Sequence, residues 1–167
     1  MKQEDLFLSV LDSHKGILYK VATSYCSDAE DRKDLVQEIV IQLWKSFDSY
    51  NSQFAYSTWI YRISLNVAIS FYRKETQRKH VSTPLSDDIL YFIDTNATDE
   101  LDENIGLLQQ FISSLRELDK GLMLLYLDEK NYREISEITG ISETNVATKI
   151  SRIKAELKKQ FTKLKQA

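Results

Sequence analysis

The chain has 167 residues and a net charge of −3, with 43% hydrophobic and 28% charged residues. This composition excludes a disordered chain, and the scarcity of turn-forming residues, four Gly and one Pro, excludes a fold rich in hairpins. No apolar run approaches the roughly 20 residues that a bilayer crossing requires, and the acidic N-terminal stretch is unlike a signal peptide. We therefore expect an all-α protein that stays in the cytoplasm.

Charge is unevenly distributed along the chain. Residues 57–80 contain five basic residues and one acidic residue, and residues 142–167 contain seven and two. Between them, residues 81–106 contain seven acidic residues and no basic one. Because local sign governs binding more than the total does, both basic segments are candidates for contact with nucleic acid.

Two helices are predicted before residue 48. Residues 4–25 place apolar side chains at helical spacing, and residues 27–47 do the same after a capping box formed by Ser27 and Glu30. The opposite face of the second helix is polar at spacings of three and four, which by default indicates a solvated surface.

A third helix is predicted after a loop over residues 48–56, with Ser57 or Thr58 as its cap. Its predicted buried row is Ile60, Ile63, Val67 and Phe71. A second row begins with an indole and continues with polar and cationic groups, which favours a binding surface: Trp59, Arg62, Asn66, Ser70 and Arg73. Tyr61 falls on neither row, so we expect it to pack structurally.

Residues 81–99 contain the only proline, Pro84, and no Lys or Arg. This composition predicts an acidic linker between two small helical domains, residues 1–80 and residues 100–167. The apolar run ILYFI inside the linker is expected to contact a domain or a partner.

Residues 132–157 hold the most specific pattern in the chain. A short helix ends at Gly140, which favours the left-handed cap, and Ser142 can cap the next helix. With the plug Ile141 and the close-contact residue Ser136, an inward row completes a helix-turn-helix: Ile135, Ile138, Val146, Ile150, Ile153 and Leu157. A plain helical hairpin is the alternative, but the coincidence of these features favours DNA binding. The outward candidates are Ser142, Glu143, Thr144, Ala147, Thr148, Lys149, Ser151 and Arg152.

Both halves resemble the bacterial RNA polymerase sigma factors of the sigma-70 class, in particular the two-domain extracytoplasmic-function (ECF) group. DRKDLVQEIVIQLWKSFDSY followed by STWIYRISLNVAISFYRK resembles region 2, and LRELDKGLMLLYLDEKNYREISEITGISETNVATKISRIKAEL resembles region 4. The order, separation and total length of the two segments strengthen the resemblance. Ser70, Ala147 and the absence of a proline in LRELDK depart from the family pattern.

The resemblance implies that the chain binds core RNA polymerase and directs promoter recognition, DNA melting and initiation. The polar face of the second helix would bind the β′ clamp helices through Asp31, Asp34, Gln37, Glu38 and Gln42. The first domain would bind the −10 element through Tyr50, Phe54, Trp59, Arg62, Asn66, Arg73, Lys74, Arg78 and Lys79. The helix-turn-helix would read the −35 element, and its domain would also contact the β flap. An anti-sigma factor is a possible further partner.

The sequence disfavours two other classes of function. An enzyme is disfavoured because neither His14 nor His80 has a partner at metal-ligand spacing, and no phosphate loop or nucleophile motif is present. We therefore expect no metal and no cofactor. A dimeric DNA-binding regulator with a sensor domain is disfavoured because the first half has an aromatic entrance and a basic end in place of a ligand pocket.

Overall fold

The computed structural model of the protein describes residues 2–79 and 100–166. These residues form seven α-helices: α1 (Gln3–Tyr25), α2 (Ala29–Ser46), α3 (Tyr56–Lys79), α4 (Glu100–Ser114), α5 (Glu117–Leu127), α6 (Tyr132–Thr139) and α7 (Glu143–Gln166). A short 3-10 helix, Phe47–Ser49, follows α2, and the described residues contain no strand, so the all-α prediction is confirmed. No described helix combines the length and apolarity that a bilayer crossing needs. The predicted linker, residues 81–99, lies outside the described residues.

The starts of α2 and α3 differ from the predicted caps. The Asp28 carboxylate accepts a hydrogen bond from the Asp31 amide at 3.4 Å, so Asp28 is the N-cap and the capping box with Ser27 is wrong. A carboxylate is also favoured there by the positive end of the helix dipole. The predicted caps of α3 are wrong as well, because that helix already begins at Tyr56.

The buried face of α3 lies beside the predicted one. Ile60 is buried as expected, but Ile63, Val67 and Phe71 are only half-buried, and the prediction is wrong for these three. The α3 residues that are buried together with Ile60 are Tyr61, Ser64, Leu65 and Ala68. The reason is that α3 packs against α1 and α2 and also against α5 and α6. The structural role expected for Tyr61 is confirmed.

α6 and α7 form the helix-turn-helix that the sequence predicts. α6 ends at Gly140, whose φ of 83° lies in the left-handed region. Ser142 Oγ then accepts a hydrogen bond from the Asn145 amide at 3.1 Å and so caps α7. At the start of α6, Asn131 and Glu134 form a capping box that the sequence analysis missed. The buried residues between the two helices are Ile135, Ile138, Val146 and Ile150.

The first half (residues 2–79) and the second half (residues 100–166) pack against each other. One hydrophobic cluster contains Tyr61 and Leu65 from the first half together with Leu122 and Leu125 from the second. The backbone of α5 comes close to the first half at Gly121, where a Cβ would lie 3.1 Å from the hydroxyl of Tyr25. We call this contact region the inter-half interface. The boundaries of the two domains remain a prediction.

Asp128, which follows α5, is at the centre of a polar network in the inter-half interface. Lys20 Nζ lies 2.6 Å from one carboxylate oxygen, and the Tyr61 hydroxyl donates to the other at 2.5 Å. Burial opposes ionisation of Asp128, but the hydrogen bonds from Lys20 and Tyr61 outweigh it and lower the pKa of the carboxyl. Burial and the bond to Asp128 raise the pKa of Tyr61, so its hydroxyl keeps its proton.

Two glycines should respond to alanine in opposite directions. Gly16 lies inside α1 with no atom within 4 Å of an added Cβ, so Gly16→Ala should raise the free energy of unfolding by about 0.5–1 kcal/mol. Gly140→Ala should lower it by about 1–2 kcal/mol, because an L-residue is strained at that positive φ. Urea unfolding measures both changes. If both variants changed the free energy of unfolding equally and in the same direction, the helical conformation of Gly16 and the left-handed conformation of Gly140 would not explain the result.

Replacement of Asp128 should reduce stability in a pH-dependent way. The folded-state pKa of this carboxyl is depressed below 3.8, so its contribution is present above about pH 4 and is lost as the pH falls further. Asp128→Asn should therefore lower the free energy of unfolding by about 1.5 kcal/mol at pH 7 and by less at pH 3. The matched control Asp12→Asn removes an exposed ion pair and should change little. If Asp128→Asn lowered the free energy of unfolding by the same amount at pH 7 and at pH 3, the stabilising role of the ionised carboxylate would be contradicted.

Candidate nucleic-acid interface

α2 and α3 enclose a groove of about 670 Å³. Polar residues of both helices line it: Asp34, Glu38, Gln42, Asn66, Ser70 and Lys74. Ile63, Val67 and Phe71 line the groove as well. These three residues, which were predicted to be buried, are half-buried and lie between the core and the surface. The groove therefore brings residues predicted to bind polymerase next to residues predicted to bind DNA.

The residues predicted to bind polymerase lie along one side of α2. Asp34, Gln37 and Glu38 are exposed, whereas Asp31 and Gln42 are half-buried. The Gln42 amide donates to the Glu38 carboxylate at 3.1 Å, which holds both side chains along the helix. Two exposed apolar residues extend the same helical spacing, although the sequence analysis did not single them out: Ile41 and Trp44, each close to half exposed. Ile41 lies three positions after Glu38, and Trp44 lies three positions after Ile41, so the helical spacing could have identified them.

Aromatic rings cluster where the loop after α2 meets the start of α3. Tyr50 stacks on Tyr56 with ring centroids 4.4 Å apart, and Trp59 meets Tyr50 edge-on at 5.3 Å. The Tyr50 hydroxyl donates to the backbone carbonyl of Phe54, which holds the loop closed. Trp59 is half-buried and also packs on Phe47, so it forms a wall of the cluster. Tyr56 was not among the predicted DNA-binding residues, although its spacing from Trp59 was a signal.

Of the α3 side chains predicted to bind DNA, some are exposed beside the groove and others contact the second half of the chain. Asn66 and Lys74 are exposed beside the groove. Arg62 lies over the Phe54 ring at 5.3 Å and donates to the backbone carbonyl of Glu137 in α6. Arg73 is exposed, and its guanidinium lies 3.5 Å from Glu117 at the start of α5. The side chains of Arg78 and Lys79 lie outside the described part of the chain.

The outward face of the helix-turn-helix is polar and largely exposed. Glu143, Thr144 and Thr148 are exposed, as are Ser142, Ser151 and Arg152, whereas Ala147 and Lys149 are half-buried. The face thus presents short polar groups with cations beside them, the arrangement in which side chains reach base edges while cations contact phosphates. The buried row beneath it holds this face rigidly against α6.

Comparison with known proteins agrees with the order of these elements. Residues 10–78 match the sigma-70 region 2 family, and residues 105–157 match the sigma-70 region 4 family. The chain is 26% identical to the ECF RNA polymerase sigma factor SigW of Bacillus subtilis, over 96% of this chain and 91% of SigW. It is 30% identical to the ECF RNA polymerase sigma-E factor of Escherichia coli K12, over 73% of this chain and 69% of sigma-E.

The fold also matches a solved sigma factor. The structure of the sigma factor RpoE in complex with the anti-sigma factor NepR from Bartonella quintana superposes with a TM-score of 0.63 at 19% identity. The match covers 95% of this chain and 96% of that chain. At this level of identity the likeness concerns the fold alone.

The helical fold with regions 2 and 4 in this order defines an RNA polymerase sigma factor of the sigma-70 class. Within that class the chain belongs to the ECF group, as its identity to sigma-E and SigW shows. It is therefore a promoter-recognising subunit of RNA polymerase that acts in transcription initiation. Sigma factors are initiation factors and not themselves catalysts.

Proposed function

We propose that the two walls of the α2–α3 groove bind the two different partners of region 2, core polymerase and promoter DNA. The α2 wall, with Asp34, Gln37, Glu38, Asp31 and Gln42, binds the β′ clamp helices of core polymerase. The α3 wall holds unstacked bases of one strand of the melted −10 element. The observation that carries the proposal is the shared groove, because Asp34, Glu38 and Gln42 of the first set line it together with Asn66 and Lys74 of the second.

The −10 element is held by ring faces and by the amide of Asn66. The stacked pair Tyr50 and Tyr56, with Trp59 behind it, offers the kind of surface on which unstacked bases bind, at about 1–3 kcal/mol per base. A flipped base also needs hydrogen-bonding groups, and the exposed Asn66 supplies both a donor and an acceptor. Phe54 forms a further wall of this pocket. Arg62, Arg73, Lys74, Arg78 and Lys79 neutralise the backbone phosphates.

The −35 element is read as duplex by α7. Short polar side chains near its N-terminus, Glu143, Thr144 and Thr148, face the base edges together with Ser142 and Ala147. Lys149, Ser151 and Arg152 contact flanking phosphates. The other faces of the domain formed by residues 100–167 contact the β flap. The acidic linker, residues 81–99, joins this domain to the domain formed by residues 1–80 and threads through polymerase toward the RNA exit path, where its negative charge can mimic nucleic acid.

The chain works in the cytoplasm, where core polymerase is found, and an anti-sigma factor is its natural inhibitor. The support for an inhibitor is the fold likeness to a sigma factor solved with the anti-sigma factor NepR. An inhibitor that covers the groove would block polymerase and DNA together, because members of both sets of side chains line it.

Reconstitution tests the proposal as a whole. The purified chain is added to sigma-free core polymerase with a genomic promoter library, and transcript starts are mapped. We expect discrete start sites that share two sequence elements. Transcription no higher than with core alone, under conditions in which a known sigma factor is active, would refute the proposed function.

Asn66→Ala should separate DNA melting from polymerase binding. Loss of the amide should reduce open-complex formation about tenfold, because each lost base contact costs roughly 1–3 kcal/mol. Affinity for core polymerase should stay unchanged, since Asn66 lies on the α3 wall. Permanganate footprinting measures melting, and a fluorescence titration with core measures binding. The exposed Gln109 of α4 provides the control Gln109→Ala, and loss of core binding by Asn66→Ala would contradict its role.

Replacement of Lys149 and Arg152 by Gln should weaken promoter capture at the −35 element. The double variant loses two phosphate contacts, so the slope of log affinity against log salt should fall by about 1–2. The control Lys15→Gln with Lys33→Gln removes the same charge from exposed positions of α1 and α2. Duplex binding by the holoenzyme at several salt concentrations distinguishes them. An equal loss in both double variants would indicate a general charge effect and contradict the assignment.

A further inference from the structure

Asn145 of α7 carries an exposed amide that the proposed function does not assign to any contact. It is the third residue of the helix, which begins at Glu143, and it directly precedes the buried Val146. The backbone amide of Asn145 donates to Ser142 Oγ and so takes part in the helix cap. Its side chain makes no hydrogen bond to any residue that the structure describes. The donor and the acceptor of this amide are therefore both available to a ligand.

The first turns of α6 and α7 differ at the equivalent position. In α6 the cap is Asn131, and Glu134, three residues later, accepts a hydrogen bond from the Asn131 amide at 3.4 Å, which closes a capping box. In α7 the cap is Ser142 and Asn145 stands three residues later, but the described residues show no such return bond there. Asn is also a poorer helix former than Glu. Local helix structure therefore does not explain why position 145 holds an asparagine.

Asn145 lies in one row with the two cations of α7 that are proposed to contact phosphates. Lys149 follows it by four residues and Arg152 by seven, spacings that place all three on one side of the helix. Seven residues correspond to about 10 Å of helix axis, whereas the major groove is about 8.5 Å deep and about 12 Å wide. In a helix-turn-helix the N-terminal residues of the second helix contact base edges. When Arg152 contacts a phosphate at the rim of the groove, Asn145 therefore lies at the depth of the base edges.

The amide of Asn145 is chemically matched to one base. Its NH₂ group donates and its carbonyl oxygen accepts, and adenine presents an N6 amino donor beside an N7 acceptor in the major groove. Guanine presents two acceptors there, so one hydrogen bond is lost and the amide carbonyl faces another oxygen. Cytosine and thymine each present one hydrogen-bonding group, a donor in cytosine and an acceptor in thymine. Only adenine satisfies both halves of the amide at once.

We propose that Asn145 is a specificity-determining residue for the −35 element, and that it reads an adenine in the major groove through two hydrogen bonds. The inference rests on the proposed function, because it requires α7 to enter this groove. It adds a base contact to those of Glu143, Thr144 and Thr148. The −35 element accordingly contains one A·T pair whose replacement by G·C weakens promoter capture about tenfold.

Two substitutions at position 145 should change the base preference in different ways. Asn145→Ala removes both hydrogen bonds, so the roughly tenfold preference for adenine at that position should disappear. Asn145→Arg supplies paired donors that match O6 and N7 of guanine, so the same position should now favour guanine. The matched controls are Gln109→Ala and Gln109→Arg, which make the same changes at an exposed amide of α4 and should leave every preference unchanged.

Holoenzyme formed from the full chain and core polymerase is incubated with a promoter library whose −35 element is randomised, and the bound DNA is sequenced. Base ratios at each position report specificity and are insensitive to the general gain in affinity that an added positive charge brings. Base analogues then test the two hydrogen bonds separately. Purine lacks the N6 amino group and 7-deazaadenine lacks N7, so each in place of the selected adenine should weaken binding by the unmodified holoenzyme about fivefold. Neither analogue should affect the Asn145→Ala holoenzyme.

The inference is overturned if both variants at position 145 select the same bases as the unmodified chain throughout the −35 element. It is also overturned if Asn145→Ala loses preference evenly at all positions, or lowers the melting temperature of the free chain, because either result indicates a structural role. Failure of every holoenzyme to select any sequence, the unmodified one included, would refute the proposed reading of the −35 element itself. Unchanged selection by an otherwise selective holoenzyme would refute only the assignment of Asn145.

Discussion

The packing of α3 is the constraint on which the rest of the structure depends. This helix contacts α1 and α2 on one side and α5 and α6 on the other, and its central residues Ser64 and Ala68 are small enough for close approach. The orientation of α3 about its own axis therefore determines which of its side chains face each neighbouring surface. Tyr61 faces Asp128, Asn66 faces the α2 groove, and Arg62 lies between the two. A substitution that shifts α3 at one of these contacts is therefore expected to shift the side chains at the other contacts as well.

Because α3 borders both the α2 groove and the second half, binding of a partner at the groove is linked to the packing of the two halves. The α2 face and the Asn66 wall share one groove, so a partner bound to either wall affects access to the other. The opposite side of α3 is covered by the second half, whose helix-turn-helix contributes the Glu137 carbonyl to Arg62. The inter-half interface, with the Asp128 network at its centre, therefore borders the α3 side chains that are proposed to bind the −10 element.

Local features of this fold were predictable and long-range ones were not. The helix-turn-helix followed from Gly140, Ser142 and the inward row, because caps and periodicity are encoded by neighbouring residues. The buried face of α3 was misplaced because periodicity identifies an apolar side of a helix but not how many neighbours cover it. Lys20 and Asp128 meet although 108 positions separate them in the sequence, and no local pattern indicates such a pair. The prediction that the polar face of α2 binds polymerase came from the family resemblance alone. Spacing could not supply it, because an ordinary solvated helix face has polar residues at the same intervals.

The separation between the two halves of the free chain tests the packing of α3 most directly. Spin labels on cysteines introduced at Lys33 of α2 and Lys158 of α7, two exposed positions, report that distance by pulsed electron resonance. The native Cys26 is buried. The account predicts one narrow distance distribution below about 40 Å, because α3 packs against helices of both halves. A broad distribution, or a mean distance clearly longer than this, would contradict that packing.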